Sequence, residues 1–275
     1  MLQVSWGALA ALLLLLVVCF VLPLGLFGGL YKLADGRFKT CGIGAGAYFV
    51  GGFAADVLLL TGIRALTDMN QNMPVYMIYS LVLSPAVFMA VNYFAMKITG
   101  KEELNNTGDA LMYSVGYAGL QNMVTTGFIA AMYFVSLWNI KLHGGSYVVV
   151  SESDYVSYSQ LVSASNLITD RIYEQMQELC SRPASYFLSL CLDRLWVIVV
   201  YAALLVVVWL AVRKKNKLPI LGIAYVMRLL IGLPTIFSDF HVFSSTWMAT
   251  AMIVVVSVIV WVAAVFCWKL YIDEN

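Results

Sequence analysis

YFLSLCLDRLWVIVVYAALLVVVWLAVRKKNK occupies residues 186–217. Between Tyr186 and Val212 only Asp193 and Arg194 carry charge, and the run then stops at Arg213, Lys214, Lys215, Asn216 and Lys217. About 20 mostly apolar residues suffice to cross the hydrocarbon core as a helix, and Lys and Arg beside such a helix hold that end in the cytoplasm. The stretch therefore reads as a membrane-spanning helix, with its basic run as the topology anchor.

Six further segments satisfy the same criterion: Val4 to Tyr31, Cys41 to Ile63, Val75 to Met96, Ala110 to Ile140, Pro219 to Phe237 and Ser245 to Tyr271. The first lacks a positive n-region and is much longer than the apolar core of a signal peptide, so it is expected to stay as a helix. The composition agrees. Of 275 residues 62% are hydrophobic and 11% charged, against roughly one quarter charged in soluble domains. The expected fold is all-α: one integral membrane domain over residues 1–275, a polytopic bundle of about seven transmembrane helices whose partner is the lipid bilayer.

Charge between the spans sets the direction. With the N-terminus outside, Lys32, Arg37, Lys39, Lys97, Lys101, Arg213, Lys214, Lys215, Lys217 and Lys269 lie inside, and Arg64, Lys141, Arg171 and Arg182 outside. This asymmetry predicts N-outside and C-cytoplasmic. Trp6, Trp138 and Trp247 near outer ends, with Trp209 and Trp268 near inner ends, fit interfacial belts. The one sizeable soluble segment is the extracytoplasmic loop 141–184. Its apolar Leu161, Ala164, Ile168, Ile172, Met176 and Leu179 recur at three- and four-residue spacing, which predicts an amphipathic helix on the outer face.

Several functions are disfavoured at once. A net charge of +1 with one dense basic run argues against nucleic acid. The five cysteines, Cys19, Cys41, Cys180, Cys191 and Cys267, form no CxxC pair and read as small buried hydrophobes. Only His143 and His241 supply imidazole, with no HExxH, so no metal site and no cofactor is expected. No repeat marks an inverted-topology transporter.

Ionisable groups at membrane depth cost about 2.5–3.5 kcal/mol each on insertion scales and are functional hypotheses by default. Here they are Asp56, Asp193, Arg194 and Arg228, at similar depths. Two acids and two bases suit an internal ion-pair network; the alternative is a proton relay or a pocket for a charged group, with Arg228 as the fixed cation. In SVGYAGLQNM (114–123), Ser114, Tyr117, Gln121 and, further on, Thr125 fall on one helical face. Gly116 and Gly119 thin the neighbouring surface for close helix approach. Such a polar stripe must face protein or water, because lipid offers no hydrogen-bond partners.

From LPLGLFGGLYK at Leu22 to GLPTIF at Phe237, the order of these features resembles the YhfC-type intramembrane proteases, distant relatives of the prenyl-protein and bacteriocin-processing membrane peptidases. The resemblance implies a paired-Glu helix ending in Arg, a GHGGxE helix, a later helix with an acid, an Arg and a His, and a final His-x-x-x-Asp. Against that pattern, YMIYSLVLSPAVFMAVNYFAMK has Phe88 and Met89 at the glutamates and Asn92 at the arginine. Tyr117 and Gln121 stand at the His and Glu of the second motif. Asp193 and Arg194 are kept but Tyr201 replaces the histidine, and Arg228 and Gly232 occupy the last pair. Hydrolysis would need a carboxylate to take a proton from water, with imidazole or a second acid holding metal or steadying the oxyanion. Amide and phenol do neither well. The resemblance thus implies a protease-like scaffold with a degenerate site at Phe88, Met89, Asn92, Tyr117, Gln121, Tyr201, Arg228 and Gly232, binding a transmembrane or peptide ligand or acting as a scaffold. Two alternatives stay open: an active peptidase using Asp56 or Asp193, and a small transporter or channel with Asp56, Asp193 and Arg228 as relay.

Overall fold

The computed structural model describes residues 4–55, 57–59, 61–62, 73–100, 103–143, 147–149, 155–157, 177–214, 217–239 and 246–272. Among the described residues, six helices are long and apolar enough to cross a membrane: α1 (Trp6–Leu33), α2 (Phe38–Leu59), α3 (Val75–Thr99), α4 (Thr107–Leu142), α5 (Ala184–Arg213) and α7 (Trp247–Leu270). Between α5 and α7 runs α6 (Lys217–Asp239). The sequence reading counts α6 as an equal seventh span, but its apolar part covers only Leu218–Pro234, short of the others. The chain is a multi-pass membrane protein.

α5 is the axis of the bundle. Its most apolar window is 61% buried, against 22–39% for the other five, because α1, α3, α4, α6 and α7 all pack on it. The quoted run is apolar on every side for that reason: a helix surrounded by neighbours has no polar face to keep. Leu204, Leu205, Val207 and Val208 on α5 join Ala224, Met227 and Val260 in the main core. A second cluster joins Leu12 and Leu15 of α1 to Leu137 of α4 and Phe187 of α5.

α2 and α4 cross at contact distance. A Cβ on Gly44 would lie 2.0 Å from the Tyr113 carbonyl oxygen, and one on Gly116 would lie 2.0 Å from that of Cys41. Gly119 faces Pro23 of α1, where a Cβ would come within 2.9 Å. In a bilayer, where lipid is as apolar as leucine, such close backbone approach is what holds helices together.

The ends carry the expected terminal devices. Asn106 accepts from the Asp109 N–H at 2.7 Å and opens α4 as a capping box. The fully buried Asp109 carboxylate accepts the Arg37 N–H at 3.0 Å and the Asn105 N–H at 3.1 Å, tying the α1–α2 turn to the start of α4. Beside it Lys39 and Glu103 pair at 2.6 Å. Arg213 stacks over Trp209 at 5.0 Å and donates to the Leu104 and Asn105 carbonyls, as Trp209 Nε1 does to Leu104 at 3.0 Å. The basic run therefore also latches a loop at its own end. At the opposite end Lys141 covers the Trp6 ring at 5.1 Å and donates to the Val4 carbonyl. Trp6 meets Trp138 edge-on at 6.3 Å, while Trp209 and Trp268 stack at 6.0 Å at the far end.

In the loop 141–184, Tyr147–Val149 and Tyr155–Ser157 form a short antiparallel ladder with Val148 opposite Val156, a local exception to the all-α reading. Of the expected amphipathic face only Leu179 is among the described residues; it is buried in the second core cluster. Leu161, Ala164, Ile168, Ile172 and Met176 lie outside them.

Candidate functional site

Four of the long helices contain a π-helical turn: Val17–Val21 in α1, Tyr48–Ala55 in α2, Tyr79–Leu83 in α3 and Met123–Gly127 in α4. Such turns recur at functional sites, since the extra residue re-aims the side chains around it. In α3 the cause is legible. Pro85 has no N–H, so the Leu81 carbonyl loses its helical donor; the Tyr225 hydroxyl of α6 donates there at 3.4 Å and to Val82 at 3.3 Å. The turn brings Tyr79, Ser80 and Ser84 to the wall of a cavity shared by α3, α4, α5, α6 and α7.

That cavity holds about 260 Å³. Its polar lining includes Gln121 from α4, Asp193, Arg194 and Tyr201 from α5, and Arg228 from α6, with Gly232 one turn on. A side cavity of about 50 Å³, lined from α2 through α6, adds Tyr48, Phe88 and Tyr117 to Gln121, Tyr201 and Arg228. The aromatic rings fix each other. Tyr117 stacks on Tyr201 at 5.5 Å and meets Tyr48 and Phe88 edge-on, each at 5.4 Å. A Cβ on Gly52 would come within 2.7 Å of the Tyr117 hydroxyl, so glycine is what admits that ring. The Arg228 guanidinium lies over Phe88 at 5.3 Å and Tyr201 at 5.9 Å. Each face adds a cation–π attraction on the order of 1–2 kcal/mol where water is excluded.

Hydrogen bonding around the cavity is incomplete. Gln121 Nε2 donates to the Tyr201 hydroxyl at 3.5 Å while its Oε1 has no protein partner. Thr250 of α7 hydrogen-bonds the Asp193 carboxylate, yet Asp193 Oδ1 stays unpaired. Arg194 Nη1 reaches Thr125 Oγ1 at 3.5 Å, leaving Nε without a partner, as is Arg228 Nε. Among the described residues, four of the five buried side-chain polar atoms that lack a partner belong to residues lining this one cavity. An unsatisfied buried polar group costs about 1–3 kcal/mol. Their concentration marks a place built for water or a ligand.

The residues singled out in the sequence divide into two groups. Phe88, Tyr117, Gln121, Tyr201, Arg228 and Gly232 come together around the two connected spaces, as do Asp193 and Arg194. Asn92 lines neither space: fully buried, it accepts from the Tyr113 hydroxyl at 2.8 Å and donates to the Phe88 carbonyl at 2.8 Å, bracing α3 against α4, and its side chain also hydrogen-bonds Tyr117 of the side cavity. Met89 lies on the other side of α3, against Leu221 and Tyr225. Within the polar stripe, Ser114 returns its hydroxyl to the Ala110 carbonyl. Asp56 lies outside the described residues. Among the described residues, no ion pair joins Asp193, Arg194 and Arg228, and the carboxylate partners of arginine sit at the helix ends. Adjacent Asp193 and Arg194 point to different partners, Thr250 and Thr125. Sequence reasoning missed Asn122, which donates to the Arg194 carbonyl at 3.0 Å. It also missed Tyr48 and Ser84; the only signal for Ser84 was the proline beside it.

The chain matches the YhfC intramembrane metalloprotease family over residues 18–260. It belongs to that family. No curated protein and no solved structure matches it. A YhfC metalloprotease implies a metal ion, and the cavity does not fit one. Zinc takes imidazole, thiolate or carboxylate. Among the described residues, this lining offers a single carboxylate, an amide and phenols beside two guanidinium groups, which repel a cation. Among the described residues, no group of three or more His, Cys, Asp or Glu converges anywhere.

Proposed function

We propose that this YhfC-family protein is a non-hydrolytic binding protein of the bacterial plasma membrane, oriented N-outside, whose ligand occupies the cavity between α3, α4, α5, α6 and α7. One observation carries the reading. The unpaired polar atoms converge on a cavity whose described lining holds Gln121, Tyr201, Arg194 and Arg228 with Asp193 as its single carboxylate, where a metal hydrolase needs a set of metal ligands as well as a proton acceptor. Phe88 and Gln121 stand where the family resemblance expects glutamates, and neither can accept a proton from water. Tyr117 and Tyr201 stand for histidines, and Arg228 adds a fixed positive charge. Arg37, Lys39 and Arg213 at one end of the bundle support the orientation.

A second reading has an observation of its own: Asp193 Oδ1 is unpaired in the same cavity and is the one carboxylate there that could serve as a base. Incubating the purified chain with transmembrane peptides and following the products by mass spectrometry separates the two. The expected result is no scission by wild type. Scission that disappears in a folded Asp193→Asn variant would establish the second reading.

A further inference from the structure

We infer that the cavity takes an anionic amphiphile of lipid type, with one carboxylate or phosphate held by Arg228 and Arg194 and an apolar tail lying against α5 and α6. The inference rests on the binding reading above and names its ligand chemistry.

Charge is the first ground. Among the described lining residues the cavity has two guanidinium groups against one carboxylate, Asp193, which Thr250 engages while its Oδ1 stays unpaired, so the charge balance is positive. Neither Arg228 nor Arg194 is within ion-pair distance of a described acid. Each keeps a buried Nε–H with no acceptor. The Phe88 and Tyr201 rings, themselves 5.6 Å apart, hold the Arg228 guanidinium from one side, and the same guanidinium borders the cavity with an Nε–H that has no acceptor. An arginine stacked in this way is pre-organised for a planar or tetrahedral anion. At membrane depth an unpaired cation is costly, and an anionic partner removes most of that cost.

Shape is the second ground. Val197, Val200, Ile231, Ile253 and Val256 line the same cavity and give it apolar wall beside the charges. About 260 Å³ is small for a ligand pocket, which typically spans about 300–1,000 Å³. A transmembrane helix, about 10–12 Å across with its side chains, does not enter such a space. A single headgroup with the first part of its chain does, and the bilayer supplies such molecules at high local concentration. The neutral face of the site fits the same ligand: the Gln121 amide and Tyr201 hydroxyl can donate to the oxygens the guanidinium groups leave over.

The test uses the purified chain in phosphatidylcholine nanodiscs, with spin-labelled stearate, its methyl ester and phosphatidic acid as probes, at a pH where the carboxylate is ionised. Stearate and phosphatidic acid are expected to bind at least about tenfold more tightly than the ester, the worth of one charge-assisted hydrogen-bond pair. Arg228→Gln should erase that preference and Arg228→Lys should restore part of it. Val197→Trp, which fills the cavity while leaving every charged residue in place, should weaken stearate and ester alike. Acetate and inorganic phosphate are competitors, and displacement of stearate by them at equal concentration would show a free-anion site and overturn the amphiphile. Equal affinity of acid and ester in wild type would overturn the inference whatever the variants do. Displacement by an uncharged transmembrane peptide would overturn it in favour of a helix ligand. Peptide scission with the charge preference intact would sink the non-hydrolytic reading while leaving the anion site standing.

Discussion

Gly116→Ala is expected to lower stability by about 3 kcal/mol, the upper end of the cost of overpacking. The added methyl group would sit 2.0 Å from the Cys41 carbonyl oxygen and 3.1 Å from the Ala45 nitrogen. Both are backbone atoms of α2, so no rotamer change relieves the clash and the helices must separate. Separation also displaces Tyr117, which lines the side cavity and is held by Tyr48 of α2. The matched control is Gly46→Ala on α2, where a Cβ meets nothing within 4 Å. There alanine should be neutral or slightly stabilising, since it is the better helix former by up to about 1 kcal/mol. Thermal unfolding of both variants in the same detergent measures the contrast. Equal melting temperatures would mean that α2 and α4 do not cross as described.

The second large effect is at Asp109. Its carboxylate has no exposure and takes the N–H groups of Arg37 and Asn105, with the Asn106 N–H at 3.5 Å. Alanine there strands donors from two loops at once, for an expected loss of about 3 kcal/mol at one or more per unsatisfied group. Arg37 also reaches the carboxylate at 4.0 Å, but that side chain is half exposed and adds little. Asp109→Asn keeps one acceptor oxygen and should recover about half of the loss. Thermal unfolding again reads the loss, and amide exchange at Arg37 and Asn105 should accelerate in both variants. Slow exchange at those amides in Asp109→Ala would show that the carboxylate is not what holds the α1–α2 turn to α4.

How much of this was legible in the sequence depends on which force sets each feature. Six of the seven expected spans were, because burial in lipid requires long apolar runs; α6 was read as their equal although its apolar part is shorter. α5 could be found from its uniform hydrophobicity, yet its place at the centre comes from packing by five neighbours, which a single run does not encode. The polar stripe of α4 predicted a face for Tyr117 and Gln121 but not that Ser114 would satisfy itself within the helix. Asn92 illustrates the same limit. Its position in the family pattern pointed at the site, while its hydrogen bonds to Tyr113 and Phe88 are those of a brace. The four intramembrane charges looked like a neutralising set because depth can be counted along a chain. Whether a guanidinium meets an acid or an aromatic ring depends on rotation about the helix axis, and π-helical turns in α2, α3 and α4 change that rotation locally. Pro85 announced a break in α3, but not that Tyr225 would supply the missing donor.

The claim on which the functional account rests is that this cavity has lost the groups a hydrolytic metal needs. Zinc titration of the purified, metal-stripped chain by calorimetry tests it most directly. The account predicts no saturable binding near stoichiometry and no difference between wild type and Asp193→Asn. One equivalent of zinc bound tightly by wild type and lost in Asp193→Asn would contradict it.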